Sequence, residues 1–175
     1  MKNTLALAAL ALSSFVLVPA PARADWGVRA GLEAPLATHV EGSTFTIADT
    51  LQPGLNVMIL KGPTDFLALG AELKVGFAST SNFARTGSTI GPALVLNVPA
   101  LPIFIRASLP IKLEPEGLAL GLRLGAGLKL TLPVVAFYWE FTGDLWIAGK
   151  DSSGLSPGAF STQTFGTGIG FELRI

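Results

Sequence analysis

Apolar and polar side chains alternate along most of the chain that follows residue 25. Between Phe66 and Ala78, leucine, valine and phenylalanine at odd positions alternate with glycine, Glu72 and Lys74 at even positions. The segment Leu118 to Leu130 shows the same alternation, with leucine at even positions opposing glycine and basic residues. A period of two puts successive side chains on opposite faces of a β-strand. The pattern therefore predicts strands that have one apolar face and one polar or side-chain-free face.

Eight segments of the chain follow this period. They are Trp26 to Leu36, Leu51 to Leu60, Phe66 to Ala78, Thr89 to Val98, Ile103 to Leu113, Leu118 to Leu130, Val134 to Trp146 and Phe160 to Ile175. After residue 25, Gly, Pro or a charge interrupts every apolar stretch before the roughly 18 residues that a transmembrane helix requires. A closed barrel also satisfies every backbone hydrogen bond inside a bilayer, and bacterial barrels have an even number of strands. We therefore predict an all-β fold, an eight-stranded antiparallel up-and-down transmembrane β-barrel.

Six of the predicted strands carry two charged residues each, and an even number of positions separates the two in every case. The pairs are Arg29 and Glu33, Glu72 and Lys74, Arg106 and Lys112, Arg123 and Lys129, Glu140 and Asp144, and Glu172 and Arg174. Both charges of a strand therefore share the face opposite to the apolar one. An Arg or Lys that faced lipid near the midplane would cost roughly 2 to 4 kcal/mol. We predict that these twelve residues form an ion-pair network in the lumen.

Eleven glycines lie on the same face as these charges. They are Gly31, Gly54, Gly70, Gly76, Gly91, Gly121, Gly125, Gly127, Gly166, Gly168 and Gly170. The interior of an eight-stranded barrel is only wide enough to be filled by side chains. Glycine there leaves room for long Arg and Glu side chains, so we expect no large permanent pore.

Connection lengths orient the predicted barrel, because outer-membrane barrels have short periplasmic turns and longer external loops. The predicted turns are Lys61 to Asp65, Pro99 to Pro102 and Thr131 to Leu132. The predicted external loops are Ala37 to Thr50, Ser79 to Ser88, Glu114 to Gly117 and Ile147 to Ala159. Prolines belong at strand ends and turns, and we place Pro35, Pro53, Pro92 and Pro110 near the external rim.

The shortest turn predicts one specific contact. If Thr131 and Leu132 form a two-residue hairpin turn, Leu130 faces Pro133 and Arg123 stands opposite Glu140. We therefore predict an ion pair between Arg123 and Glu140.

Four aromatic residues are predicted to face outward near the periplasmic side, where amphipathic rings favour the interface. They are Trp26, Phe137, Trp139 and Phe171. They form either an aromatic girdle or ordinary lipid-facing bulk.

Residues 1–24 have the features of a secretory signal. Lys2 provides a positive charge, Leu5 to Val18 are mostly apolar, and Ala22-Arg23-Ala24 is an A-x-A cleavage site. We expect cleavage before Asp25, which leaves residues 25–175 as one barrel domain. Loss of Lys2 and Arg23 leaves 10 basic against 12 acidic side chains, a balance that attracts no nucleic acid. The chain has no cysteine, which excludes a lipid-modified N-terminal Cys, disulfides and Cys-ligated metal.

The last strand resembles the C-terminal signal of outer-membrane barrels. In the segment from residue 168 to 175, Gly170, Phe171, Leu173 and Ile175 stand in matching places. Over residues 25–175 the pattern resembles the small barrels of the OmpA, OmpX and OmpW type. The resemblance implies an outer-membrane location reached through a cleavable Sec-type signal. It also implies contact with outer-membrane lipid, and with periplasmic chaperones and the barrel-assembly machinery during biogenesis.

Three functions remain open from the sequence. The first is a structural or surface-interaction barrel that presents loops 37–50 and 147–159 to an extracellular ligand. The second is transport, through a narrow channel or, as resemblance to OmpW implies, by lateral passage of small apolar compounds. The third is a lipid A modifying enzyme that uses His39 with Ser43 and Asp49. A soluble barrel of the lipocalin kind would require the leucine-rich face to point inward.

Chemistry-bearing patterns are few. Paired carboxylates at Glu140 and Asp144 are most simply partners for the basic residues of the lumen. Glycine at every second position is a strand feature when no helix follows, so it predicts no phosphate-binding loop. A lone histidine is too little for a metal site. We predict no catalytic site, no cofactor and no metal.

Overall fold

The computed structural model describes residues 26–40, 53–62, 66–77, 88–112, 119–149 and 162–175. These residues form nine β segments. They are β1 (Trp26–Val40), β2 (Gly54–Lys61), β3 (Leu67–Gly76), β4 (Thr89–Asn97), β5 (Ile103–Ser108), β6 (Ile111–Lys112), β7 (Ala119–Thr131), β8 (Val135–Gly149) and β9 (Thr162–Arg174). The predicted signal of residues 1–24 lies outside the described residues. In the described ranges there is no helix of sufficient length and apolar character to cross a membrane.

The segments close into an antiparallel barrel of eight strands. Each strand pairs with its neighbours in the sequence, and β9 returns to pair with β1. Gly27 of β1 pairs with a residue of β2, which pairs in turn with a residue of β3, and so on around the barrel. This path returns to β1 at Thr38 and not at Gly27. Such a stagger means that the strands are tilted, as closure of a small barrel requires. The predicted all-β fold, an eight-stranded antiparallel up-and-down barrel, is confirmed.

Segments β5 and β6 together form one strand of the barrel. They keep the same register against β4, where Ala93 faces Ser108 and Thr89 faces Lys112. The interruption falls at Pro110, which has no N–H to donate to a ladder. The ladder continues around it, because the Gly121 N–H donates to the Pro110 carbonyl at 2.9 Å.

Pro92 lies within a strand, and not at a strand end or in a turn. It is the fourth residue of β4, opposite Ala71 of β3. Its carbonyl still accepts a hydrogen bond from the Leu109 N–H at 3.1 Å. A proline is tolerated at this position because the neighbouring strand is itself interrupted beside it.

Two strands are longer than the sequence predicts. Strand β1 continues to Val40 by pairing with the start of β9, and a register shift between Pro35 and Ala37 accommodates the extension. Strand β8 continues to Gly149. The loops predicted at 37–50 and 147–159 therefore begin later, and most of their residues lie outside the described part of the chain.

The turn between β7 and β8 lies two residues further along the chain than predicted. Thr131 pairs with Ala136, and the Leu132 N–H donates to the Val135 carbonyl at 2.8 Å, so Pro133 and Val134, and not Thr131 and Leu132, are the two central residues of the turn. Arg123 consequently faces Asp144, whereas Glu140 faces Gly127. The displacement is four residues, an even number, so every side chain keeps its predicted face.

The barrel has the opposite arrangement to a soluble domain. Large apolar side chains lie on its outer surface, among them Ile59, Leu69, Leu124 and Leu128, while charged side chains are buried inside. We call the end that carries Trp26 and the connections between β4 and β5 and between β7 and β8 the turn end. The opposite end is the loop end.

Candidate functional site: the charged lumen

All twelve charged residues predicted for the lumen lie in the described strands, and eleven of them are buried. The twelfth, Arg174, keeps 26 % of its side chain exposed and lies near the turn end of β9. The parity of the strands explains this burial, since each charged residue occupies a position whose neighbours along the chain point outward. The lumen therefore collects seven basic and five acidic groups on one surface.

Arg123 of β7 organises the loop-end half of the lumen. Its Nε lies 2.5 Å from Oδ1 of Asp144 and its Nη2 lies 2.8 Å from Oδ2, a bidentate contact. Nη1 of Arg123 also bonds Glu72 and approaches Oε2 of Glu33 at 3.9 Å. The amide of Asn56 donates to the same Glu72 oxygen at 2.8 Å.

Glu33 of β1 joins a second group of bases to this cluster. Lys74 Nζ lies 2.9 Å from its Oε2, and Arg106 Nη2 lies 2.8 Å from its Oε1. Each carboxylate oxygen therefore meets a base from a different strand. Lys112, at the loop end of β6, is buried opposite Thr89 and lies on the same face of the sheet.

Glu140 does not bind Arg123, and the predicted pair is wrong. Its Oε1 lies 3.1 Å from Nη1 of Arg106, and its Oε2 lies 4.0 Å from Nη1 of Arg29. The position of the β7–β8 turn is the physical reason, because a turn two residues further along the chain moves Glu140 toward the turn end and brings Asp144 beside Arg123.

Glu172 of β9 is the centre of a smaller cluster at the turn end. Its Oε2 lies 3.3 Å from Nη2 of Arg29 and 3.5 Å from Nζ of Lys129, and its Oε1 lies 3.7 Å from Nε of Arg174. Lys129 also donates to Oδ1 of Asn97 at 2.5 Å. The turn end of the lumen thus carries three bases around one carboxylate.

An aromatic layer separates the two clusters. The guanidinium carbon of Arg29 lies 4.3 Å from the ring centroids of both Phe104 and Tyr138. The two rings meet edge to face with centroids 6.0 Å apart. We call these three residues the collar. Met58, Leu60, Ala93 and Val95 pack with the two rings in the apolar cluster inside the barrel.

The sequence reasoning missed the collar, although a signal for it was present. Met58, Phe104 and Tyr138 lie on the same strand faces as the charges and glycines of β2, β5 and β8. A large apolar residue on the polar face of a strand breaks the alternation. These three residues break it in this way, and all of them lie in or beside the collar.

Several lumen glycines make room for aromatic rings, in addition to charged chains. A Cβ at Gly31 or Gly170 would collide with the Tyr138 hydroxyl, and a Cβ at Gly127 would come within 2.8 Å of the Phe104 ring. Gly168 behaves as expected, since a Cβ there would lie 3.0 Å from Cγ of Glu33. Glycine is therefore required where the lumen is fullest.

The outward aromatic residues of the turn end differ in their polar contacts. The Nζ of Lys61 lies 5.4 Å from the Trp26 ring centroid. By contrast, the Trp139 indole N–H donates to Oγ1 of Thr167 at 2.8 Å, and that hydroxyl donates to the Glu140 carbonyl at 2.9 Å. Phe137 and Phe171 are register partners on β8 and β9, and both are exposed.

The residues of the predicted assembly signal take two faces of β9. Gly170 points into the barrel, while Phe171, Leu173 and Ile175 are exposed on the outside. His39 lies in β1, opposite Gln163, and not in a loop as predicted. Ser43 and Asp49 lie outside the described residues, so the grouping of the three stays a prediction.

Within the described strands, no three His, Cys, Asp or Glu side chains are grouped so that they could hold a metal ion. Comparison with protein-family models, curated proteins and solved structures found no match to this chain. The geometry of the barrel therefore carries the functional argument.

Proposed function

We propose that this chain is an integral outer-membrane β-barrel whose closed lumen makes it a structural or surface-interaction protein. One observation carries the proposal: the interior is charged and the exterior is apolar. Arg29, Arg106 and Glu140 have no exposed surface, whereas Ile59 and Leu128 are more than half exposed.

Hydrocarbon is the solvent that this surface requires. Soluble proteins rarely expose contiguous apolar patches larger than a few hundred Å², and here apolar side chains cover the outer face of every strand of the barrel. A closed barrel also leaves no unpaired strand edge, which is the condition for a β structure inside lipid. Outer-membrane lipid is therefore the first partner that we propose.

The packing of the lumen favours a rigid body over an open pore. Ion pairs cross the interior between strands on opposite sides, as Arg106 does to Glu33, and the collar fills the remaining width. A barrel closed in this way offers its loops as the surface for contact with other molecules. We propose the loops at 37–50 and 147–159 for this role, with periplasmic chaperones and the assembly machinery as partners during biogenesis.

Membrane insertion can be tested on the folded protein. We expect the chain to fractionate with outer membranes and to migrate differently on gels before and after boiling. A nitroxide at Leu124 or Leu69 should collide more with oxygen than with a water-soluble nickel chelate. A nitroxide at Thr131, which lies at the turn end of β7, is the matched control and should show the reverse. Preferential nickel access at Leu124 would reject the proposal.

Conductance separates a closed body from a channel. In planar bilayers we expect the parent protein to give no discrete current steps. Steps at ordinary salt concentrations would reject the closed lumen while leaving membrane insertion intact.

We also propose that the protein is not an enzyme. His39→Ala should leave the lipid A species of expressing cells unchanged relative to the parent. Loss of a lipid A modification in that variant, with normal levels of folded barrel, would favour the enzyme function.

A further inference from the structure

We propose that the collar of Arg29, Phe104 and Tyr138 is a barrier that closes the lumen near its turn end, and that a path opened through it prefers anions. The inference rests on the proposed membrane barrel and extends it. It assigns a latent permeation path to the protein and a position to its gate.

A single residue of the collar connects the ion pairs on its two sides. On the turn-end side, Glu172 binds Lys129 and Arg174. On the loop-end side, the other pairs form one connected group around Glu33 and Arg123. Among the ion pairs of the described strands, Arg29 alone connects the two sides, through Glu172 at 3.3 Å and Glu140 at 4.0 Å.

The two rings of the collar pack against apolar side chains. Phe104 and Met58 have no exposed surface, and Val95 and Leu60 are almost as fully buried. These side chains come from β2, β4 and β5, and they form one apolar cluster with Tyr138 of β8. Hydrophobic constrictions stop ions because the ions would have to shed water there. The position is close to the turn end, since Phe104 is the second residue of β5 and Tyr138 the fourth of β8.

Charge gives such a path its preference. The loop-end side is balanced, with four basic side chains (Lys74, Arg106, Lys112 and Arg123) against four acidic ones (Glu33, Glu72, Glu140 and Asp144). At the collar and the turn end, Arg29, Lys129 and Arg174 surround the single carboxylate of Glu172, an excess of two positive charges. Rings of basic side chains favour anions in narrow pores. A path opened through the collar should therefore carry chloride in preference to potassium.

The decisive experiment removes the rings while keeping Arg29. The test variant is the double substitution Phe104→Ala and Tyr138→Ala, and the control is Ile105→Ala with Phe137→Ala. The control shortens the neighbouring outward side chains on the same two strands. All proteins are first shown to be heat-modifiable, and each is then measured in planar bilayers under a potassium chloride gradient.

We expect discrete current steps in the test variant alone, with a reversal potential displaced toward that of chloride. Tyr138→Phe, which keeps the ring, should remain silent. If the double variant does not fold, Phe104→Ala alone replaces it.

A folded test variant without current would overturn the inference, as would equal currents in the control or a reversal potential displaced toward potassium. These outcomes differ from failure of the proposed function, in which the parent itself conducts or does not insert.

Discussion

Arg123 and Asp144 face each other across the β7–β8 hairpin and make two parallel contacts, at 2.5 and 2.8 Å. The pair records the true register of that hairpin. A turn centred on Thr131 and Leu132 would have placed Glu140 in the same position. The side chain that meets Arg123 therefore reports the position of a turn whose first central residue lies ten residues further along the chain.

A double-mutant cycle can measure this register in solution. We expect Arg123→Ala and Asp144→Ala to be coupled by about 1 to 3 kcal/mol in the free energy of unfolding, the range for contacting residues. Arg123→Ala and Glu140→Ala should be coupled much more weakly, because Glu140 binds Arg106 and Arg29. Urea unfolding of the protein in lipid vesicles gives both values. Stronger coupling to Glu140 would contradict the described register.

The position of Tyr138 determines which glycines of β1 can be replaced by alanine. A Cβ at Gly31 would collide with the Tyr138 hydroxyl and lie 2.7 Å from the Ile169 carbonyl oxygen. We expect Gly31→Ala to destabilise the barrel by about 1 to 3 kcal/mol, the usual cost of overpacking. The control is Gly27→Ala on the same strand, where the nearest atom is 3.6 Å away. Similar unfolding midpoints for both variants would count against the described packing.

The three tryptophans of the chain should report three environments. Trp139 has its N–H satisfied by Thr167, so it does not need the headgroup region. Trp26 lies at the turn end beside Lys61, and Trp146 is buried inside the barrel.

Single-tryptophan variants in brominated lipids give the depth of each ring. We expect Trp139 to be quenched best by bromine deep in the acyl chain, and Trp26 by bromine near the headgroups. Trp146 should be quenched least. Strong quenching of Trp146 would contradict its inward orientation.

The turn between β4 and β5 offers a site for stabilisation. Ala100 has a φ of 62°, and it follows Pro99 in a turn closed by a hydrogen bond from the Leu101 N–H to the Val98 carbonyl at 3.2 Å. A side chain in this backbone region costs about 1 to 2 kcal/mol, which glycine avoids. We expect Ala100→Gly to raise the free energy of unfolding by about 0.5 to 1 kcal/mol. Ala107→Gly, within β5, should instead lower it by about 0.5 to 1 kcal/mol.

The faces of the strands could be predicted from the sequence because side-chain direction has a period of two. Leu124 and Gly125 point to opposite sides whichever residue each one pairs with. An error of an even number of residues, such as the one at the β7–β8 turn, leaves this assignment unchanged. The same reasoning predicted that Arg29, Glu33 and Arg123 share one interior.

The partners within that interior could not be predicted in the same way. Which carboxylate Arg123 meets depends on where the β7–β8 turn lies, and the alternation of apolar and polar residues does not specify that position. The extension of β1 to Val40 depends on pairing with β9, which is more than a hundred residues away in the chain.

By itself, then, the sequence determined an eight-stranded β chain with one apolar and one charged face, because local alternation is a property of each strand alone. Only the tertiary structure decided that Arg29 lies between Phe104 and Tyr138, since these residues come from three strands that meet only when the sheet closes. The collar depends on the closure of the sheet, the stagger of its strands and the position of its turns, which are properties of the whole barrel.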